Sequence, residues 1–345
     1  MKILITGGAG YIGSHVVKQF LEKSDHDIIV LDNLSTGHES TLDTLEKISR
    51  QSGRGTLRFY RTDLADFAAV EKIFLTDTFD ALIHFAASIV VPESVTNPLK
   101  YYMNNTVNTT NLIRLCHEYG VTKMIFSSTA AVYGEPDFTS MSHTDNEIKI
   151  TENMPTKPIN PYGMSKLMSE TVIRDTAAAY SQFKYVILRY FNVAGADIQN
   201  RIGQSFPDAT HLIKVAVQTA IGKKNKLSIF GDDYDTPDGT CIRDYIHVED
   251  LASAHIRALG YLDEGHESDI FNCGYGHGFS VREVIESVKK VSGADFTVEI
   301  APRRPGDPAL LIADNTKIKN ALGWQPQYDD LSLICKTALE WEKKI

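Results

Sequence analysis

Two side chains stand at a spacing suited to proton transfer: Tyr162 and Lys166, in Tyr162-Gly163-Met164-Ser165-Lys166. On a helix, residues four apart share a face. A free tyrosine has a pKa of ~10 and is a poor base at neutral pH. A neighbouring ammonium stabilises the phenolate and lowers that value. Reaching neutrality takes about 4 kcal/mol of differential stabilisation, at ~1.4 kcal/mol per unit. Ser127-Ser128-Thr129 adds hydroxyls at the end of a β-rich run, where one can bridge a substrate oxygen and the tyrosine.

A second constellation lies at the start of the chain. Gly7-Gly8-Ala9-Gly10-Tyr11-Ile12-Gly13 places glycines at G-x-x-G-x-x-G, between a strand at Lys2–Thr6 and a helix at Tyr11–Lys23. Gly7, Gly10 and Gly13 allow a tight turn and let the backbone approach a pyrophosphate. The helix N-terminus presents free N–H groups and partial positive charge to that anion. Asp32 ends the next strand, where a carboxylate accepts from an adenosine ribose hydroxyl and repels a 2′-phosphate. Neither Asn33 nor Leu34 supplies an arginine for such a phosphate, so the cofactor expected is NAD. Its positively charged nicotinamide would be the second cation acting on Tyr162. Asp63, in Thr62-Asp63-Leu64, ends the third strand and can either contact adenine or cap a helix.

Both motifs need a frame that brings strand ends together. The first half alternates β-rich runs with helical stretches, the pattern of a doubly wound parallel α/β sheet of the Rossmann type. Strands are expected at Asp27–Leu31, Leu57–Tyr60, Ala81–Phe85, Lys123–Ser127 and Tyr185–Leu188. Helices are expected at Phe67–Phe74, Pro98–Glu118 and Tyr162–Phe183, with a loop over Gly134–Pro161. Runs such as Ile28-Ile29-Val30-Leu31 suit strands covered on both faces. Beyond Gly195 the rhythm loosens into loops such as Gly231–Gly239 and Ala301–Pro308. Residues 1–190 therefore read as a dinucleotide-binding domain and 191–345 as a smaller α+β substrate-binding region, with an approximate boundary and segments free to interleave.

Bulk properties narrow the class. The 345 residues suffice for one large core or two modest ones. A formal charge of −9 with scattered cations excludes a nucleic-acid stripe. No apolar run approaches a membrane span, and the N-terminus lacks a signal-peptide core, so a cytoplasmic protein is expected. Cys116, Cys241, Cys273 and Cys335 lie far apart without a Cys-x-x-Cys pair. They read as buried thiols, and no metal site is expected.

Thr6–Gly13, Ser127–Thr129 and Tyr162–Lys166 together resemble the extended short-chain dehydrogenase/reductase superfamily. Asp32–Leu34, Pro98–Asn105, Val132–Gly134, Arg189–Asn192, Arg243–Val248 and Ala301–Asp307 narrow the resemblance to the UDP-glucose 4-epimerase (UDP-galactose 4-epimerase) family, over essentially the whole chain. The resemblance implies Tyr162 as base, Lys166 as its electrostatic partner and Thr129 as third member. It implies a cofactor site of Gly7, Gly10, Tyr11, Ile12, Gly13, Asp32, Asn33, Asp63, Leu64, Phe85, Ala86, Ala87, Asn104, Tyr162, Lys166 and Phe191. For the UDP-sugar it implies Thr129, Tyr162, Asn192, His211, Leu212, Phe230, Arg243, Arg304 and Asp307. Two phosphates on an acidic protein need local cations, and arginine binds them in bidentate fashion. Ile89 and His211 depart from one form of the family pattern, which carries lysine and asparagine there.

The reaction so implied oxidises the sugar at C4, turns the 4-keto intermediate over, and returns the hydride to its other face. A nucleotide-sugar 4,6-dehydratase is the rival on this fold. It needs acidic groups just after the catalytic threonine, where this chain has Ala130 and Ala131. An NAD-sensing regulator would typically lose Tyr162 or Lys166, and both are kept. Leu311 falls where family members confined to non-acetylated sugars carry tyrosine, so UDP-N-acetylhexosamines are expected substrates too. The helices around Pro98–Glu118 and Tyr162–Phe183 are candidates for a homodimer interface, although Leu112, Leu115, Leu167 and Met168 suit packing within one chain equally.

Overall fold

The computed structural model describes residues 1–136, 149–207, 210–304 and 307–345. Residues 137–148 of the loop expected over Gly134–Pro161, and residues 305 and 306 of the Ala301–Asp307 motif, lie outside them. Seven parallel strands form the central sheet. In chain order the first half reads β1 (Lys2–Thr6), α1 (Tyr11–Lys23), β2 (Asp27–Asp32), α2 (Glu39–Ser52), β3 (Leu57–Arg61), α3 (Phe67–Thr76) and β4 (Ala81–His84). Then come α4 (Val91–Thr96), α5 (Pro98–Tyr101), α6 (Asn108–Glu118), β5 (Lys123–Thr129), α7 (Pro161–Ala179) and β6 (Lys184–Tyr190).

Apolar residues alternate between two buried layers, as strands covered on both faces require. Ile3, Ile5, Ile28, Val30 and Ile83 join α1 and α2 on one side. Leu4, Ile29, Leu31, Leu82 and Phe126 join α3 and α6 on the other. Strand order is β6-β5-β4-β1-β2-β3, with a seventh strand from the second half beside β6, so the chain reverses direction of growth between β1 and β4. The carboxyl ends of strands at such a switch point leave a crevice for ligand.

The second half contains β7 (Asn192–Ala194), α8 (Leu212–Ala220), β8 (Leu227–Phe230), β9 (Ile242–Arg243), β10 (Tyr245–His247) and α9 (Val248–Asp263). These are followed by β11 (Asp269–Cys273), β12 (Phe279–Ser280), α10 (Val281–Ser292), β13 (Val298–Ala301), β14 (Leu310–Leu311), α11 (Thr316–Leu322) and α12 (Leu331–Lys344). Two of these elements return to the first half: α9 packs its Leu251, Ala254 and Leu259 on the sheet, and β11 adds the seventh strand beside β6. Ile213 and Val217 of α8 and Ile334 of α12 extend the same core. Lys18 of α1, buried, donates to Asp197 (2.6 Å) and to Glu249 of α9, tying the halves by charge as well.

Two expected helices differ in detail. The stretch Pro98–Glu118 is interrupted by a π-helical turn at Tyr102–Val107 between α5 and α6. The wider turn carries Asn104 and Asn105 toward the loop after β4: Asn104 donates to Ser88 Oγ (3.1 Å), and Asn105 accepts from Ser88 N (2.8 Å). Such bulges concentrate at functional sites. Helix α7 begins at Pro161, capped by Asn160 accepting from Gly163 N at 2.9 Å, and stops at Ala179 rather than near Phe183. Among the described residues no helix is long and apolar enough to cross a membrane.

Candidate active site

The glycine loop sits at the end of β1, at the switch point. Gly7 has φ 74°, and a methyl group there would lie 2.6 Å from Ala86 N. A methyl on Gly13 would lie 2.3 Å from Gly7 O, because helix α1 starts directly against the turn. Gly10 is the N-cap and offers no side-chain cap, so the first-turn N–H groups of Tyr11, Ile12 and Gly13 face the crevice mouth without one. Asp32 ends β2 and accepts from Ala9 N (3.0 Å) and Leu34 N (2.8 Å); burial holds its carboxyl above the usual range. Asn33 donates to Asp63 at 2.8 Å, joining the ends of β2 and β3. A glycine cradle with open N–H groups and a carboxylate one strand away fits a dinucleotide. Phe85, Ala86 and Ala87 follow β4 and form the opposite lip. Leu64 differs from the rest: its side chain belongs to the apolar core, which leaves only its main chain for a ligand.

Beyond the lip, β5 ends in the three hydroxyls, and the structure separates their roles. Ser127 Oγ is bonded to His255 Nε2 at 2.8 Å, and Ser128 Oγ donates to Glu170 at 2.5 Å. Both are fully buried. Only Thr129 turns to the site, where its hydroxyl is hydrogen-bonded to Tyr162 and accepts from Ala131 N (3.1 Å). Lys166 donates to Ser127 O at 2.8 Å and lies over the Phe126 ring, 4.8 Å from its centre.

The protein's own electrostatics supply only part of the activation expected from two cations. Burial pushes Tyr162 up to about 12, and the Thr129 hydrogen bond offsets only part of that. Burial likewise brings Lys166 down to about 7, against the attraction of Glu170. The lysine alone therefore does not make the tyrosine a base here. Bound at the glycine turn, an oxidised nicotinamide would add the second positive charge.

Across the crevice, one cavity is lined by Tyr11 of the glycine loop together with Asn192, His211, Leu212 and Tyr245. Tyr11 OH also donates to Gly195 O at 2.6 Å, fastening the dinucleotide loop to the second half. Arg243, buried, donates to Asp307 and to Ile242 O (2.8 Å). The Arg304 guanidinium stacks 3.8 Å from the centre of the Phe230 ring. The β14–β9 ladder sets Leu311 opposite Arg243. Leu311 packs on the small apolar cluster of Tyr133, Ile150, Phe191 and Ala313. Phe191, expected among the cofactor residues, sits in that same cluster. His211 is exposed at the N-cap of α8, accepting from or facing Gln204 at 3.2 Å, while Ile89 is 46% exposed on the loop before α4.

Sequence reasoning missed Ser88, Asn105 and Glu170. Asn105 donates to Ser165 Oγ on α7 at 2.9 Å and so links the cofactor lip to the tyrosine helix. No spacing rule marks that contact, because the π turn creates it. Glu170 was readable: it continues the four-residue spacing of Tyr162 and Lys166.

The model of the NAD dependent epimerase/dehydratase family matches residues 3–274. The UDP-glucose 4-epimerase of Azospirillum brasilense is 48% identical over 344 residues, covering 100% of this chain and 92% of its own. The structure of the UDP-Glc/GlcNAc 4-epimerase from Campylobacter jejuni superposes with a TM-score of 0.85 at 59% identity, covering 100% of this chain and 99% of that one. That of UDP-glucose 4-epimerase from Bifidobacterium longum, in complex with NAD+ and UDP, gives 0.90 at 37% identity, with 100% and 98% covered.

A cofactor seated on the glycine turn requires that turn's close approach. Gly13→Ala, whose methyl would meet Gly7 O, should lose the bound dinucleotide. Denaturing extraction is expected to release NAD in near-stoichiometric amount from the parent protein and essentially none from the variant.

Proposed function

The chain belongs to the NAD dependent epimerase/dehydratase family, and on that premise we propose how its residues carry out the interconversion of UDP-glucose and UDP-galactose. The observation that carries the reading is the buried Thr129–Tyr162–Lys166 group at the carboxyl end of β5, on the sheet edge that also carries the glycine turn after β1. Bound NAD supplies the redox chemistry, accepting a hydride from C4 of the sugar and giving it back. Tyr162 takes the proton of the 4-hydroxyl and returns it at the end of the cycle. Thr129 holds the phenol oxygen and the sugar oxygen in line. Lys166 contributes a buried positive charge, anchored by Ser127 O, that favours the phenolate.

The anchor for UDP is Arg243, Arg304 and Asp307, with Asn192, Leu212 and Phe230 around it. Arg243 bonds Asp307 and Arg304 stacks on Phe230, so each guanidinium is held by a partner from within the anchor and can offer its remaining N–H groups to phosphate. His211 adds a polar group at the first turn of α8. An anchored UDP lets the 4-keto sugar turn over while the diphosphate stays fixed. The dehydratase chemistry lacks its acid, because Ala130 is buried and Ala131 donates only its backbone N–H, to Thr129.

Leu311 carries the reading of substrate breadth. Its ladder partner is Arg243, so its side chain stands between the UDP anchor and the apolar cluster beside Phe191. Leucine leaves room that tyrosine would fill, and UDP-N-acetylglucosamine and UDP-N-acetylgalactosamine are then substrates as well. The C. jejuni protein, whose structure is that of a UDP-Glc/GlcNAc 4-epimerase, agrees with this reading.

We further read the division of labour as dinucleotide binding in residues 1–190 and UDP-sugar binding in 191–345, with α9 and β11 threaded back. A homodimer would cover Val95, Leu99, Met103 and Met168, which are 63%, 73%, 59% and 43% exposed on α4, α5, the π turn and α7. Four free, buried cysteines suit a reducing, cytoplasmic setting.

Tyr162→Phe should keep NAD and UDP binding while lowering kcat for UDP-galactose by about 10²–10⁴-fold. Near-parental kcat would remove Tyr162 from the role of base. Leu311→Tyr should lower kcat/KM for the N-acetylated pair by about 5- to 150-fold, the equivalent of ~1–3 kcal/mol of overpacking, and spare the other pair. Side-by-side kcat/KM values for both pairs decide it, and a parent inactive on N-acetylated sugars would contradict the breadth.

A further inference from the structure

Behind the tyrosine and lysine, helix α7 carries a third ionisable residue on the same face. Glu170 is one turn beyond Lys166 and fully buried. Its carboxylate accepts from Ser128 Oγ at 2.5 Å and from Arg189, Nη2 at 2.6 Å and Nε at 3.1 Å. Ser128 and Arg189 are register partners on β5 and β6, one position before Thr129 and Tyr190. Arg189 also donates to Tyr133 OH (3.0 Å), which donates to Asn272 on β11 (2.7 Å). One carboxylate thus fastens α7 to the two strands whose ends form the catalytic floor.

Structural fastening does not by itself account for charge at this position. A buried ion pair is costly to desolvate, and apolar residues of similar volume hold two elements together as well or better. The Lys166 ammonium explains the charge. It is itself buried, with one hydrogen bond to Ser127 O and an aromatic face at Phe126. The titratable groups around it are Tyr162 and Glu170 on α7, His84 on β4, Tyr190 on β6, and His255 of α9 behind Ser127. His84 and His255 are held neutral by burial, at about 3 and about 4, and burial raises Tyr190. Tyr101, packed edge-on against the Tyr162 ring, is raised as well. Glu170 is the anion that acts on the ammonium, and it opposes the burial that drives the proton off.

We propose that Glu170 is a positioning residue of the reaction: anchored by Ser128 and Arg189 one turn along the same helix face, its carboxylate keeps Lys166 charged behind Tyr162. This rests on the proposed role of Tyr162 as base and extends it one turn along the helix. The sign follows directly. Removing the anion weakens the hold of Lys166 on its proton, the ammonium fraction falls at a given pH, and the phenolate loses support. Turnover then needs a higher pH.

The test uses the NAD-loaded protein, following kcat against pH with UDP-galactose, the ionisation of Tyr162 by phenolate absorbance, and the thermal midpoint. Glu170→Gln is expected to move the rising limb of the profile and the phenolate titration upward by about one pH unit. The double variant Glu170→Gln/Arg189→Met, which leaves no unpaired arginine behind, is expected to move them the same way. It keeps the test decisive if the single variant does not fold. Arg189→Lys keeps the carboxylate and the positive charge but loses the fork; it should lower the thermal midpoint and leave the profile where it was. A profile unmoved in both glutamine variants, or moved equally by Arg189→Lys, would overturn the proposal. A parent protein that fails to turn over UDP-galactose would contradict the proposed reaction instead, while the phenolate titration still tests Glu170.

Discussion

An ammonium taken out of water is the constraint around which this molecule is arranged. Lys166 is 2% exposed, and such burial penalises the charged form. Holding a proton there requires fixed partners, and the protein supplies three from two elements: the Ser127 carbonyl and Phe126 ring of β5, and Glu170 of α7. Those partners stay in place only if α7 cannot shift against the sheet. Its cap at Asn160, its bond from Asn105 through Ser165, and its ion pair to Arg189 all serve that end.

Parallel strands place every carboxyl end on the same edge, so the Thr129 hydroxyl, the glycine turn and the Asp32 carboxylate meet there although far apart in sequence. The reversal of strand order between β1 and β4 opens the crevice between them. The second half is not a free lobe above it. Helix α9 and β11 return to the sheet, the apolar layer continues into α8 and α12, and Tyr11 bonds Gly195 across the seam. Packing therefore holds the arginine-bearing second half and the tyrosine helix in one body, which suits a reaction that needs the sugar to turn while its nucleotide stays still.

What could be read from the sequence was local. The glycine spacing, Asp32 at a strand end and the Tyr162/Lys166 pair each lie within a few residues, and sheet and helices follow from apolar runs and their periods. The remainder depends on long-range pairing. Nothing near Leu311 in sequence marks it as the ladder partner of Arg243; a two-residue strand pairing does that. The three hydroxyls of Ser127–Thr129 look alike until His255 and Glu170 claim two of them. The π turn depends on partners, Ser88 and Ser165, from two other segments. The spacing of Tyr162 and Lys166 does not report desolvation, which pushes the phenol up within the protein's own field.

The central claim is that the hydrogen at C4 leaves as hydride, stays within the site, and returns to the opposite face of the same carbon. UDP-galactose carrying deuterium at C4, incubated with the purified protein in ordinary water, tests this directly by NMR of the product. The account requires UDP-glucose that retains the deuterium at C4, with no added NAD. Loss of the label to solvent would mean removal of that hydrogen as a proton, and would contradict the account.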